Sequence, residues 1–142
     1  MRRSPLALLL LVPLAVPAVA DARTVRSSNA FAFGDGDVSC YVVRVVEGFD
    51  GSGVECSSRG VPRTTGEGDP YVAVKRTGRS RLGARGDFPG YSSTRRRLRS
   101  GDTWRPGHSA RGIVCRVSTS SVRCTNRSGH GFRISKTGVG RY

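Results

Sequence analysis

Apolar and polar side chains alternate with a period of two on both sides of a short polar tip between Ile113 and Thr125, and the β-formers of Asp37–Val43 repeat the scheme more loosely. Such alternation is the signature of a half-buried β-strand. No stretch holds a 3.6-residue apolar period for two turns, and Gly, Ser, Thr and Pro interrupt the chain every few residues. After residue 22 the only leucines are Leu82 and Leu98, against fourteen valines. Valine loses little side-chain freedom on a pleated surface, so the bias favours strands. The pattern predicts an all-β fold, a small antiparallel sandwich or partly open barrel. Its hairpins fall at Val38–Cys56 and Ile113–Thr125, with further strands at Ala30–Phe33, Tyr71–Lys75 and Gly131–Ser135.

The cysteines fall one pair to each hairpin, Cys40 with Cys56 and Cys115 with Cys124. In the second, symmetric pairing sets Arg116 opposite Arg123 and Val117 opposite Val122, with Thr119-Ser120 at the tip. Counting outward from a two-residue tip makes Cys115 and Cys124 a non-hydrogen-bonded pair, close enough for a disulfide. Thr-Ser is not a favoured two-residue turn, so the turn type stays open. Ile113, Cys115, Val117, Val122 and Cys124 then share the core face, and Val114, Arg116 and Arg123 the other. Each hairpin enters just after a glycine (Gly36, Gly112) and returns through Val-x-Cys with a charged middle residue, which suggests a duplicated unit.

Residues 1–22 read as a cleaved signal peptide. Arg2 and Arg3 are followed by an apolar run to Val16, broken by Pro13, and by Ala18-Val19-Ala20. That run is too short for a membrane span, which needs about 20 apolar residues. The expected product is a single secreted domain, residues 23–142, monomeric and without a transmembrane segment. Its apolar content is low for a folded domain of formal net charge +13. Two disulfides, worth roughly 2.7 and 3.1 kcal/mol in the chain-entropy model, offset that poverty.

The charge is unevenly placed. Residues 23–69 carry five arginines and seven acids, a net of −2, whereas residues 70–142 carry seventeen basic residues and only Asp87 and Asp102, a net of +15. The segment from about 76 to 101 reads as a long, mostly exposed basic loop with room for one short strand, densest at Arg95, Arg96, Arg97 and Arg99. These four, with Arg116 and Arg123, are the candidate anion-binding residues, since clustered guanidinium groups attract polyanions by counterion release.

Gly36-Asp37-Val38-Ser39-Cys40, preceded by Phe31, resembles the Phe…Gly-Asn-Ile-x-Cys opening of a family of small secreted actinobacterial proteins. Gly34-Asp35 departs from that family's Pro-Ser. The closing stretch, Gly101-Asp102-Thr103-Trp104-Arg105-Pro106-Gly107, Cys115, Cys124 and Asn126-Arg127-Ser128-Gly129-His130-Gly131-Phe132, resembles its Thr-Trp…Cys…Cys-x-Asn-x-x-Gly-His-Gly-Phe block. The family is a domain of unknown function. The resemblance therefore implies compartment, disulfides and fold class, but no activity. It does not extend over Pro62–Ser100. The excess of arginine over lysine suits a high-GC genome, but that bias does not explain the loss of acids from one half.

The functional expectation is a secreted, non-enzymatic protein, extracellular or wall-associated, that binds anionic envelope polymers or other polyanions through its basic half. No motif points to a specific nucleic acid. A ribonuclease-like hydrolase is the catalytic alternative, with His130 as acid and Glu47, Glu55 or Glu67 as base. A secreted protease inhibitor is the non-catalytic alternative. The reading preferred for His130, flanked by glycines, is structural: its block shapes a turn entering the last strand. No Gly-x-Ser-x-Gly elbow occurs. Without a Cys-x2-Cys unit the sequence implies no metal site, and it implies no cofactor. Arg85-Gly86-Asp87 matches an adhesion tripeptide that chance explains in so Arg- and Gly-rich a chain, and Asn126-Arg127-Ser128 fits a glycosylation acceptor pattern at which a bacterial secreted protein is seldom modified.

Overall fold

The computed structural model describes residues 22–32, 37–43, 52–86, 96–107 and 110–142. The segment read as a signal peptide, through residue 21, lies outside them. Among the described residues, twelve strands form two six-stranded sheets packed face to face: β1 (Thr24–Ser27), β2 (Asn29–Ala32), β3 (Val38–Val43), β4 (Gly53–Ser58), β5 (Asp69–Lys75), β6 (Arg81–Arg85), β7 (Arg96–Leu98), β8 (Thr103–Pro106), β9 (Val114–Val117), β10 (Val122–Thr125), β11 (Gly131–Ile134) and β12 (Val139–Arg141). The all-β expectation holds, and the sheets form a sandwich rather than a closed barrel.

The N-sheet runs β6-β5-β4-β3-β2-β7 and the C-sheet β12-β11-β10-β9-β8-β1. The two orders are equivalent. Each sheet is a five-strand antiparallel meander with one parallel strand added beside its first member. The added strand comes from the other half of the chain: β1 precedes the N-terminal meander but pairs with β8, and β7 precedes the C-terminal meander but pairs with β2. The duplication suggested by the hairpins thus extends to twelve strands, and the halves are interlocked by exchanged edge strands. Arg23 clamps the exchange. Its Nε donates to both carboxylate oxygens of Asp102 at 3.0 Å and its Nη2 to the Arg97 carbonyl at 2.8 Å, while Asp102 also accepts the Arg99 N–H at 2.7 Å.

The disulfides Cys40–Cys56 and Cys115–Cys124 lie across the two central strands of their sheets, with Cα atoms 4.1 and 4.0 Å apart. Arg116 faces Arg123 and Val117 faces Val122, as expected. Ser118 settles the turn that the Thr-Ser tip left open. Its Oγ accepts the Ser120 and Ser121 N–H groups at 3.4 and 3.1 Å, while its own N–H donates to the Ser121 carbonyl at 2.8 Å. Between the sheets, Trp104, Ile113, Phe132 and Ile134 pack on Val38, Val54, Val72 and Val74, all buried. The Trp104 indole N–H donates to the Ser27 carbonyl and hydroxyl, tying β8 to β1.

The stretch from 76 to 101 differs from the expected loop. It carries β6, antiparallel to β5, and β7, parallel to β2, with Leu98 buried in the core. Both strands are sheet edges, where charged side chains keep an unpaired backbone rim from joining another chain. Their charge therefore disguises them as loop. Residues 87–95, Arg95 included, lie outside the described residues.

Candidate polyanion-binding face

On the outward face of the C-sheet, the strand register aligns Thr103, Arg116, Arg123, Arg133 and Gly140 in one row across β8–β12. Two residues further along, Arg26 faces Arg105 across β1 and β8. All five arginines are exposed. Adjacent strands are about 4.8 Å apart, so the row holds three guanidinium groups on neighbouring strands. Like charges directly opposed across strands are mildly unfavourable, and nothing in strand chemistry itself calls for this arrangement.

Two of the three are held in place by neutral partners. Arg123 lies over the Tyr142 ring, 4.5 Å from its centroid, and its Nε donates to the Tyr142 hydroxyl at 2.9 Å. That hydroxyl also meets Thr125 Oγ1 at 2.8 Å and donates to the Cys124 carbonyl at 3.0 Å. Arg133 Nε donates to Ser121 Oγ at 2.8 Å. Hydroxyl and ring contacts fix a guanidinium without cancelling its charge, and they engage Nε while leaving the Nη donors for an incoming anion. Among the described residues the salt bridges are Arg23–Asp102 and Arg85–Glu55, neither on this face. The three arginines, with Ser118 and Ser121, line a shallow cleft of about 280 Å³. A second cleft, about 570 Å³, opens on the far side of Arg133 between the tips of the β9–β10 and β11–β12 hairpins.

The remaining candidates scatter. Arg96 and Arg97 are exposed on β7, and Arg99 is exposed just beyond it, at the edge where the exchanged strands meet. Arg116 and Arg123 are the candidates that the fold places in a row; Arg133, a further member, and Arg105, a neighbour on the same face, were passed over by sequence reasoning. The period-two pattern carried the signal for Arg133, since it alternates with the apolar Phe132 and Ile134.

Among the described residues no hydrogen bond or ion pair joins His130 to a candidate base. It lines a cleft of about 550 Å³ with Arg79, Ser80, Arg141 and Tyr142. Glu47 lies outside the described residues, Glu67 is exposed, and Glu55 is fully buried on the N-sheet. The block around His130 is explained by Asn126. Its Oδ1 accepts the Ser128 and His130 backbone N–H groups, both at 3.0 Å, and its Nδ2 donates to the Lys75 and Gly78 carbonyls at 3.2 and 2.7 Å. One buried amide thus shapes the β10–β11 turn and pins it to the β5–β6 turn of the other sheet. Gly129 takes the left-handed conformation (φ 77°) that this turn needs. Gly131 admits no side chain, because a Cβ there would lie 1.9 Å from the Cys124 carbonyl oxygen.

Glu55 belongs to a different arrangement. Its carboxylate accepts a short hydrogen bond from the Tyr41 hydroxyl and a bond from Arg85 Nη2 at 3.0 Å, and Arg85 sits 5.8 Å from the Tyr71 ring centroid. Burial, then the hydrogen bond to Glu55 and its charge, push the Tyr41 phenol well above its ordinary pKa of 10.0. Tyr71 lies across Gly83, where a Cβ would fall 2.4 Å from the ring.

Among the described residues no group of His, Cys, Asp and Glu is placed to hold a metal ion, and no helix is long and apolar enough to cross a membrane. No protein-family model, no curated protein and no solved structure matches the chain.

Proposed function

We propose that the protein is a secreted, non-enzymatic binder of anionic polymers of the cell envelope, and that the outward face of the C-sheet is its binding surface. The observation that carries this reading is the acid-free row Arg116–Arg123–Arg133, two members of which are held by neutral partners. A regular lattice of fixed positive charge suits a flexible polyanion, which gains by releasing condensed counterions and needs no defined base or sugar sequence. The two disulfides accord with an oxidising, extracellular setting. Arg96, Arg97 and Arg99 add to the field but lie at an edge. They steer the ligand rather than seat it.

Affinity for inorganic polyphosphate, measured across a salt series, tests the proposal. Log affinity should fall linearly with log salt. Changing Arg116, Arg123 and Arg133 together to Ser should flatten the slope by about two to three units, at roughly 0.7–0.9 for each phosphate no longer neutralised. Changing Arg96, Arg97 and Arg99 should do less. The reverse ranking would move the site to the β7 edge, and no binding at low salt would remove it altogether.

A further inference from the structure

The larger cleft beside the arginine row has a chemistry of its own. Thr119 and Ser120 come from the β9–β10 tip, and Ser135 and Thr137 from the β11–β12 tip, so four hydroxyl side chains line one opening, with Ser135 and Thr137 bonded to each other and Ser135 also to the backbone of its turn. Arg133 and Lys136 add positive charge to its lining. The two hairpin tips lie at the same end of the C-sheet because β9–β12 form a continuous meander. Arg133 is common to this cleft and to the arginine cleft, so the two are consecutive along one path.

The floor of the cleft is open. A Cβ built at Gly138 or Gly140 would meet nothing within 4 Å, and Gly140 stands directly beside Arg133 in the register. Glycine here is not required by the backbone, since neither residue is among those of positive φ. It is also a poor strand residue. What it provides is room. At about 570 Å³ the cleft is of the size that takes a small-molecule unit.

A bare chain of phosphates would use only the cations. A single-stranded nucleic acid would look for aromatic platforms on which its bases stack. The residues lining this cleft include no aromatic ring. Hydroxyl groups in number beside the arginines instead match a ligand that itself presents hydroxyls between its charges, because each hydroxyl can donate and accept. Resting on the polyanion reading above, we infer that the ligand is a polymer whose phosphate or sulfate groups are joined through hydroxyl-bearing carbon units, an anionic glycan or polyol phosphate. Its anions lie along Arg116, Arg123 and Arg133, and a hydroxylated unit occupies the cleft over Gly140.

The test compares three probes on the full mature chain: inorganic polyphosphate, a poly(ribitol phosphate) and dextran sulfate. Gly140→Val fills the floor at an exposed edge-strand position that favours β-branched residues. It should weaken binding of either hydroxyl-bearing probe about tenfold or more while changing polyphosphate affinity less than twofold. Thr119→Val with Ser120→Ala, at an exposed hairpin tip, should act in the same direction, and it serves if the Gly140→Val variant proves unstable in a thermal melt. Response of one carbon-based probe alone would identify the anion as phosphate or as sulfate. Equal losses for all three probes, or no loss for any, would overturn the cleft assignment while leaving the arginine row standing. A wild-type chain that binds none of the probes at low salt would instead remove the underlying polyanion reading.

Discussion

The two halves of this molecule place different chemistry at equivalent positions. The residue after the first cysteine of each hairpin is Tyr41 in the N-sheet and Arg116 in the C-sheet. The residue before the second is Glu55 in one and Arg123 in the other. Their next cross-strand neighbours are Ala73 and Arg133. In the N-sheet this outward row is buried, and its one carboxylate is satisfied by a tyrosine and by Arg85. In the C-sheet the same row is exposed and its arginines have no acid opposite them. One scaffold thus supports an arginine neutralised by a carboxylate and a row whose charge is left standing. Topology does not choose between these fates. The outward residues do. The comparison separates the structural row from the one available for a ligand.

The largest expected effect follows from the N-sheet row. Removing one partner of a buried ion pair strands the other and typically costs about 3–5 kcal/mol. Glu55→Ala should therefore lower the melting temperature by more than about 10 °C. The double change Glu55→Gln with Arg85→Met, which removes both charges of the pair, should recover much of that loss. A melting temperature for the Ala variant within two or three degrees of wild type would show that the row is not structural and would dissolve the contrast between the sheets.

A smaller effect should appear in alkali. The pKa of the Tyr41 phenol is raised on folding, so the unfolded chain releases this proton first, near pH 10. The stability linked to Tyr41 is thus fully present below pH 10 and is lost as pH climbs toward the folded-state value, by up to about 1.4 kcal/mol per pH unit. Urea midpoints measured from pH 8 to 11 should show the decline. Tyr41→Phe should remove this contribution to it, at the cost of one donor to Glu55. If the wild-type and Phe chains decline in parallel, the alkaline loss has another source.

The fold was legible where residues repeat and obscure where edges intervene. Local cysteine spacing located both central hairpins, and in the second, whose strands are half-buried, period-two alternation also gave the register and the inner face; in the first, whose strands are buried on both faces, no such pattern was there to read. The edge strands did not show. In Arg96–Leu98 the only inward marker is Leu98, and β1 and β7 find their partners in the opposite half of the chain. Parallel pairing across that distance leaves no local trace. For the site, charge counting found the basic half but favoured the densest run. It could not tell arginines crowded along one short strand from arginines aligned across several, a difference set by register alone. Asn126 was visible only as part of a block resembling a known family. Its role comes from carbonyls some fifty residues away in the other sheet.

The smallest expected effect on stability belongs to the C-sheet row, and it is the sharpest test of the contrast. Arg116 and Arg123 face each other across a strand pair with no acid to separate them. Replacing Arg116 by Thr removes a like-charge opposition and adds a residue of higher strand propensity, and both terms are favourable at an exposed position. Arg123→Thr gains the same but gives up the Tyr142 ring and hydroxyl, a cation–π contact worth about 0.5–1 kcal/mol at exposed sites. Arg116→Thr should therefore leave stability unchanged or raise it by a few tenths of a kcal/mol, whereas Arg123→Thr should be neutral to slightly destabilising. Urea denaturation at two salt concentrations checks the ordering, because the relief from repulsion should shrink as salt screens the pair. A loss above about 1.5 kcal/mol for Arg116→Thr, outside the usual range for surface changes, would make this arginine a structural residue like Arg85 and leave the C-sheet without a face reserved for a ligand.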